Sequence, residues 1–97
     1  MSAYRLDEIP PHVAEILRHF PPELKRPIKS ALQALGRDPA LGEPLQRELE
    51  GLWKYRVRRF RIVYAIDRGA RVIRVFAVGH RRTIYEEVAA AVRTRDP

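Results

Sequence analysis

The stretch WKYRVRRFRIVYAID, residues 53–67, decides the fold because apolar and basic side chains alternate along it. A period of two predicts a β-strand that buries one face and exposes the other. The core-facing positions of this strand are Trp53, Tyr55 and Val57. The opposite face carries Lys54, Arg56 and Arg58. The sequence therefore predicts an apolar inner face and a cationic outer face.

Two more strands follow in the same part of the chain. From Phe60 to Ile66 the even-numbered positions are apolar and continue the inner face, while Arg61 lies on the outer one. Residues 67–70, Asp-Arg-Gly-Ala, are typical of a turn. Val72 to Val78 is apolar on both faces except at Arg74, as expected of an interior strand.

Prolines divide the first part of the chain into a short strand and two helices. Ala3 to Leu6 is a candidate strand. The first helix begins at Pro10-Pro11, because proline's missing N–H would have no partner in a first helical turn. The second follows Pro21-Pro22, is expected to become regular only at Pro27, and ends at Gly36. So short a link predicts an αα-hairpin.

A last helix is predicted after Thr83, whose hydroxyl suits an N-cap, with Glu86 at the capping-box position. The order of elements is then β-α-α-β-β-β-α. This is an α+β fold, with an antiparallel sheet packed against the αα-hairpin and its basic face exposed. Residues 1–97 suffice for one domain of this kind.

Positive charge is concentrated in the C-terminal half. Residues 1–51 hold 7 basic and 8 acidic side chains, whereas residues 52–97 hold 12 and 4. Such an excess indicates either a polyanionic partner or a merely solvated surface. The absence of cysteine excludes a disulfide framework and a Cys-based zinc site. With neither a signal-peptide pattern nor a membrane-spanning apolar run, the cytoplasm is the expected location.

The candidate anion site is formed by Lys54, Arg56 and Arg61. Alternation and hairpin pairing place them on one face of neighbouring strands. Like charges held together destabilise a sheet unless an anion lies between them. The third strand then ends in GHRRTIY, residues 79–85, which adds a histidine, two arginines and a tyrosine near the strand end.

Three segments in this order and spacing resemble the RelE/ParE superfamily of bacterial and archaeal toxin–antitoxin toxins, particularly its RelE branch. They are PLQRELEGL (residues 44–52), WKYRVRRFRIVYAID, and VFAVGHRRTIY (residues 75–85). The resemblance covers most of the chain. It implies a fold like that of small microbial ribonucleases and, for the RelE branch, cleavage of mRNA in the ribosomal A site without a metal ion or cofactor. It also implies a cognate antitoxin as partner.

In that chemistry the ribose 2′-oxygen attacks the adjacent phosphorus, and fixed cations stabilise the charge that develops. By position, the resemblance implies that Lys54 and Arg56 assist activation of the 2′-oxygen and bind phosphate. Arg61 would stabilise the transition state. Arg81 would bind phosphate or protonate the leaving 5′-oxygen, and Tyr85 would stack on a base or orient the nucleophile.

Some residues depart from the family pattern or add to it. Arg56 stands where some members carry lysine, and a guanidinium that stays protonated is a poor proton acceptor. His80 is open between a structural role at the strand end and a share in proton transfer. The arginines expected to hold the RNA backbone, away from the reacting phosphate, are Arg58, Arg59 and Arg82.

Two other functions are compatible with the sequence. A ParE-like member would inhibit DNA gyrase and cleave no RNA, since the superfamily fold serves both activities. A further alternative binds RNA without catalysis. Arg61, Arg81 and Tyr85 together favour the ribonuclease.

Overall fold

The hairpin of residues 53–67 lies at the centre of the sheet in the computed structural model, which describes residues 4–7 and 9–95. The strands are β1 Arg5–Leu6, β2 Glu43–Pro44, β3 Trp53–Val57, β4 Phe60–Asp67 and β5 Val72–His80. The helices are α1 Pro11–Arg18, α2 Pro22–Arg37 and α3 Ile84–Arg95. Short 3-10 turns occupy Pro39–Leu41 and Arg47–Leu49. The α+β class and the order of elements are confirmed, with β2 as an addition.

The sheet is mixed and not wholly antiparallel. Its strand order is β1-β5-β4-β3-β2, and β1 runs parallel to β5, with Arg5 opposite Val72. The expectation of an antiparallel sheet was wrong at this edge. The chain passes through two helices and the hairpin between β1 and β5, so no tight turn forces these two strands to run in opposite directions. Ala3, where the first strand was expected to begin, lies outside the described residues.

Helices α1 and α2 cover the inner face of the sheet. Val13 of α1 and Leu35 of α2 are fully buried in one cluster with Ile62 and Tyr64 of β4. The pairing of β3 with β4 sets Trp53 opposite Tyr64, so the apolar face predicted for the hairpin is confirmed.

Helix α2 begins at Pro22 and contains Pro27, so the expected late start of its regular part was wrong. The amides of a first helical turn have no intrahelical acceptor, and Pro27, in the second turn, removes only one further bond. Among the described residues, no helix is both long and apolar enough to cross a membrane.

Helix α3 packs on the outer face, which was expected to be free of helices. Val63 of β4 is fully buried there against Ile84 and Val88 of α3. The reason is that β4 and β5 carry apolar residues on both faces, so the outer face of the sheet must also be covered. Helix α3 begins directly after Thr83, the expected cap, and therefore leaves only part of the outer face to the cations.

Candidate functional site

The three cations predicted to converge line one groove on the outer face, which we call the basic groove. Its volume is about 450 Å³. The residues that line it are Leu41, Gly42, Glu43, Lys54, Tyr55, Arg56 and Arg61. The register explains the arrangement, because Arg56 lies directly opposite Arg61 in the β3–β4 pair, while Lys54 lies between Glu43 of β2 and Val63 of β4.

One wall of the basic groove is held by a buried phenol. Tyr64 donates its hydroxyl hydrogen to the carbonyl oxygen of Pro39 at 2.7 Å and accepts the amide hydrogen of Gly42 at 3.2 Å. Burial is the main cause that raises the pKa of Tyr64 to about 12, so the phenol stays neutral near pH 7. A Cβ at Gly42 would collide with this hydroxyl and with the Lys54 carbonyl oxygen. Glycine therefore lets the wall approach β3 closely.

Glu43 is a groove residue that the sequence analysis missed. It is the one carboxylate among the residues that line the groove, and it lies opposite Lys54 in the β2–β3 pair. An ionised carboxylate can accept a proton, whereas an arginine cannot. No strand signal marked it, because β2 is only two residues long and ends in proline. The order Gly-Glu-Pro, residues 42–44, precedes the basic strand by eight residues and is the only trace in the sequence.

Tyr85 of α3 is brought to Lys54. The Nζ atom of Lys54 lies 5.7 Å from the centre of the Tyr85 ring, which is a cation–π geometry. The aromatic ring predicted to serve the site is therefore next to one of its cations. It also packs against the cluster formed by Val63, Ile84 and Val88, so it has a role in packing α3 as well.

Arg61 is oriented by the backbone of the β3–β4 turn. Its Nη1 atom donates to the carbonyl oxygens of Phe60 at 2.9 Å and Arg58 at 3.1 Å. These bonds hold the guanidinium at the turn end of the basic groove. Gly79 of β5 lies opposite Arg61, and a Cβ there would come within 2.8 Å of the Ile84 Cδ1 atom, so α3 begins close to the sheet at this point.

The loop after β5 approaches the same turn, although its side chains do not line the basic groove. The amide of Arg81 donates to the carbonyl oxygen of Arg59 at 2.8 Å. Arg59, Arg81 and Arg82 are all exposed. The backbone of Arg81 therefore contacts the turn that orients Arg61. Arg81 is not one of the residues that line the basic groove.

His80 is not brought to the basic groove. It lies opposite Phe60 in the β4–β5 pair, with its ring 5.6 Å from the Phe60 ring in an edge-on arrangement. Phe60 in turn contacts Phe20, 4.9 Å away beside the inner-face helices. The Nδ1 atom of His80 accepts the amide hydrogen of Arg82 at 3.2 Å. Alternation along β5 therefore places His80 on the face opposite to Lys54, Arg56 and Arg61.

Arg58 also differs from its predicted position. Strand β3 ends at Val57, and Arg58 lies in the turn with a φ of 56° instead of continuing the cationic face. Its side chain lines a separate cleft beside α2. Among the residues that the structure describes, no group of three histidine or acidic side chains is placed to hold a metal ion.

Comparison with known proteins places the chain in a family. It matches the family model of the ParE toxin of type II toxin–antitoxin systems, parDE, over residues 6–85. It is 35% identical over 71 residues to Toxin RelG of Mycobacterium tuberculosis strain H37Rv, a match that covers 71% of this chain and 82% of that protein.

Solved structures agree with this assignment. The toxin–antitoxin complex RelBE2 of M. tuberculosis contains a chain that matches with a TM-score of 0.75 and 28% identity, over 84% of this chain and 94% of that one. A variant of E. coli toxin RelE in the free state shares the fold at a TM-score of 0.75 and 22% identity, over 98% and 99% of the two chains. The chain is therefore a member of the RelE/ParE superfamily of type II toxins.

Proposed function

We propose that this toxin is a ribosome-dependent endoribonuclease that cleaves mRNA in the A site. The observation that carries the proposal is the meeting of Lys54, Arg56 and Arg61 in one groove, with the Tyr85 ring beside Lys54. Negative charge grows on the phosphoryl oxygens when a nucleophile attacks a phosphodiester. Cations already fixed around that position lower the barrier, because they need no rearrangement during the reaction.

In the proposed reaction the bond from the ribose 2′-oxygen to phosphorus forms and the bond from phosphorus to the 5′-oxygen breaks. The products are a 2′,3′-cyclic phosphate and a 5′-hydroxyl. The 2′-oxygen loses its proton to water, and the 5′-oxygen gains one from Arg81 or from water. Arg56 and Lys54 bind the phosphate and assist activation of the 2′-oxygen, and Arg61 stabilises the transition state.

The remaining roles fall to the elements around the basic groove. Arg81, in the loop that contacts the β3–β4 turn, adds positive charge near the phosphate or protonates the leaving 5′-oxygen. Tyr85 stacks on a base or orients the nucleophile. Arg59 and Arg82 hold the RNA backbone outside the reacting centre. His80 has no part in the proposed proton transfers, because it lies on the opposite face of the sheet.

The test is to map mRNA 5′ ends in a bacterial translation extract that contains the purified toxin. We expect cuts at A-site codons with the wild-type chain, and a cleavage rate about 10²–10³-fold lower with Arg61→Ala, the usual loss when one transition-state donor is removed. Arg68→Ala is the matched control, because Arg68 is an exposed arginine in the β4–β5 turn at the far end of β4. A folded wild-type chain that leaves every mRNA intact would contradict the proposal.

We also propose a cognate antitoxin as partner, with an acidic segment that covers the basic groove. The RelBE2 structure from M. tuberculosis is a toxin–antitoxin complex, and the groove of this chain offers three cations to such a segment. The purified cognate antitoxin should stop cleavage at a one-to-one ratio of antitoxin to toxin. Cleavage that continues at saturating amounts of that protein would contradict this part of the proposal.

Gyrase inhibition is the second candidate, and the match to the ParE family model favours it. The same purified proteins distinguish the two candidates in a DNA-supercoiling assay. Inhibition of gyrase that is equally strong with wild type and Arg61→Ala, together with intact mRNA, would assign this chain to the gyrase inhibitors. Supercoiling that proceeds normally while mRNA is cut would exclude them.

A further inference from the structure

Three residues other than glycine have a positive φ in the described part of the chain, and all are arginines. They are Arg47 at 60°, Arg58 at 56° and Arg71 at 59°. Glycine is relaxed in this region of backbone conformation, whereas a residue with a Cβ is strained. Arg58 occupies the two-residue turn between β3 and β4, where glycine or asparagine is usual. Arg58 therefore carries its charge at a position where glycine would be less strained.

The side chain of Arg58 lines a cleft of about 570 Å³ together with residues of α2. Arg26 and Ser30 are the other groups there that can donate hydrogen bonds, and Glu23 is the single carboxylate that lines the cleft. Within residues 4–7 and 9–95, none of the ion pairs involves Arg26 or Arg58. Two exposed guanidinium groups thus face one cleft, and neither of them is ion-paired with the Glu23 carboxylate.

This cleft and the basic groove are separate, but they lie on either side of the β3–β4 turn. Arg61, in the groove, donates to the backbone carbonyl of Arg58, so the two sites share one turn. We propose that Arg58 and Arg26 bind the sugar-phosphate backbone of the RNA segment next to the one held in the basic groove. The inference rests on the proposed action on RNA. A guanidinium suits it, because its forked donors match two phosphate oxygens and position a strand without selecting its sequence.

The test uses a fluorescein-labelled 20-nucleotide single-stranded RNA with 2′-O-methyl groups, which has no free 2′-hydroxyl to attack. Its affinity for the full chain is measured by fluorescence anisotropy at several salt concentrations. We expect Arg58→Gly and Arg26→Gln each to weaken binding about tenfold at low salt and to reduce the salt dependence by about one ion. Arg71→Gly is the matched control, because it removes the same charge at nearly the same φ from the opposite end of β4.

Stability separates a lost contact from a damaged fold. Glycine relieves the strained φ at both positions, so neither Arg58→Gly nor Arg71→Gly should lower the urea midpoint of unfolding. The inference is overturned if the wild-type chain does not bind this RNA, or if Arg58→Gly binds it as tightly as Arg71→Gly. It is also overturned if Arg58→Gly loses affinity only for poly(L-glutamate), which would assign the cleft to an acidic protein segment.

Because this RNA cannot be cut, the binding result is independent of catalysis. Affinity that depends on Arg58 in a chain that never cleaves mRNA would keep the inference and remove the proposed ribonuclease. An Arg58→Gly chain that cleaves mRNA and binds this RNA as tightly as the wild type would overturn the inference and keep the proposed ribonuclease.

Discussion

Replacing Tyr64 with phenylalanine removes one buried oxygen atom and tests what holds the wall of the basic groove. In the wild-type chain this oxygen donates to Pro39 and accepts from Gly42. Each such bond contributes about 1 kcal/mol net, and a buried group left without a partner costs about 1–3 kcal/mol. The free energy of unfolding should therefore fall by about 2 kcal/mol at pH 8. For a domain of this size, that lowers Tm by about 8–16 °C.

The phenol also gives this loss a pH dependence. Burial, the largest cause, raises the pKa of Tyr64 to about 12, from an ordinary value of 10.0. A raised pKa means that the folded state holds the proton more tightly than the unfolded state does. The stabilisation is then complete below pH 10 and is lost as the pH rises from 10 to 12. The stability difference between wild type and Tyr64→Phe should shrink by about 1.4 kcal/mol per pH unit in that interval.

The assay is urea unfolding, followed by the fluorescence of the single tryptophan, at pH values from 8 to 11.5. Other groups that titrate in this range are common to both proteins, so they cancel in the difference. Tyr85→Phe is the control, because it also removes a tyrosine hydroxyl but not one of the groups that raise or lower the pKa of Tyr64. A difference that stays constant up to pH 11.5 would refute the reasoning that the buried phenol keeps its proton. A loss of less than about 0.5 kcal/mol at pH 8, half of one bond, would refute its role in holding the wall.

Two further predictions concern the site and the opposite end of the sheet. If Tyr85 acts through its ring, the Tyr85→Phe variant should cleave ribosome-bound mRNA at nearly the wild-type single-turnover rate, and the Tyr85→Leu variant about tenfold more slowly. Equal losses of cleavage rate in the two variants would assign the role to the hydroxyl. The pKa of Asp67 is lowered, first by the Ala70 amide and then by Arg74. The contribution of Asp67 to stability is therefore present above its ordinary pKa of 3.8 and is lost as the pH falls through the lowered pKa. Asp67→Asn should flatten the acid side of a plot of urea midpoint against pH, and an acid side of unchanged slope would contradict this.

The central hairpin could be predicted from the sequence because its alternation is governed by burial. Tyr64 and Ile62 are fully buried and Arg56 is exposed, as a period of two requires. The same rule placed Lys54, Arg56 and Arg61 on one face before any register was known. Pairing across a short turn then left little freedom for their separation, since Arg56 and Arg61 lie directly opposite each other.

The rest of the site depends on register and on contacts distant in sequence. Arg58 was assigned to the strand because the turn that it occupies lacks the glycine or asparagine that normally marks one. The sequence does not determine the face of His80, because that face depends on which β4 residue lies opposite it, and this residue is Phe60. Glu43 was missed because a two-residue strand carries no periodic signal, and the bonds that position it come from Tyr64, far along the chain.

The basic groove suits an anion because of where its charges lie, more than because of how many arginines the chain has. Arg68 and Arg71 are also cations, but they lie in the turn between β4 and β5, outside the paired strands. Arg56 and Arg61 instead face each other across two strands, in a groove bounded by the Tyr64-held wall, with Tyr85 of α3 beside its third cation, Lys54. Directly opposed like charges destabilise a sheet. A phosphate between them would make the interaction attractive, so the arrangement that is unfavourable in the free toxin would become the source of the RNA affinity that we propose.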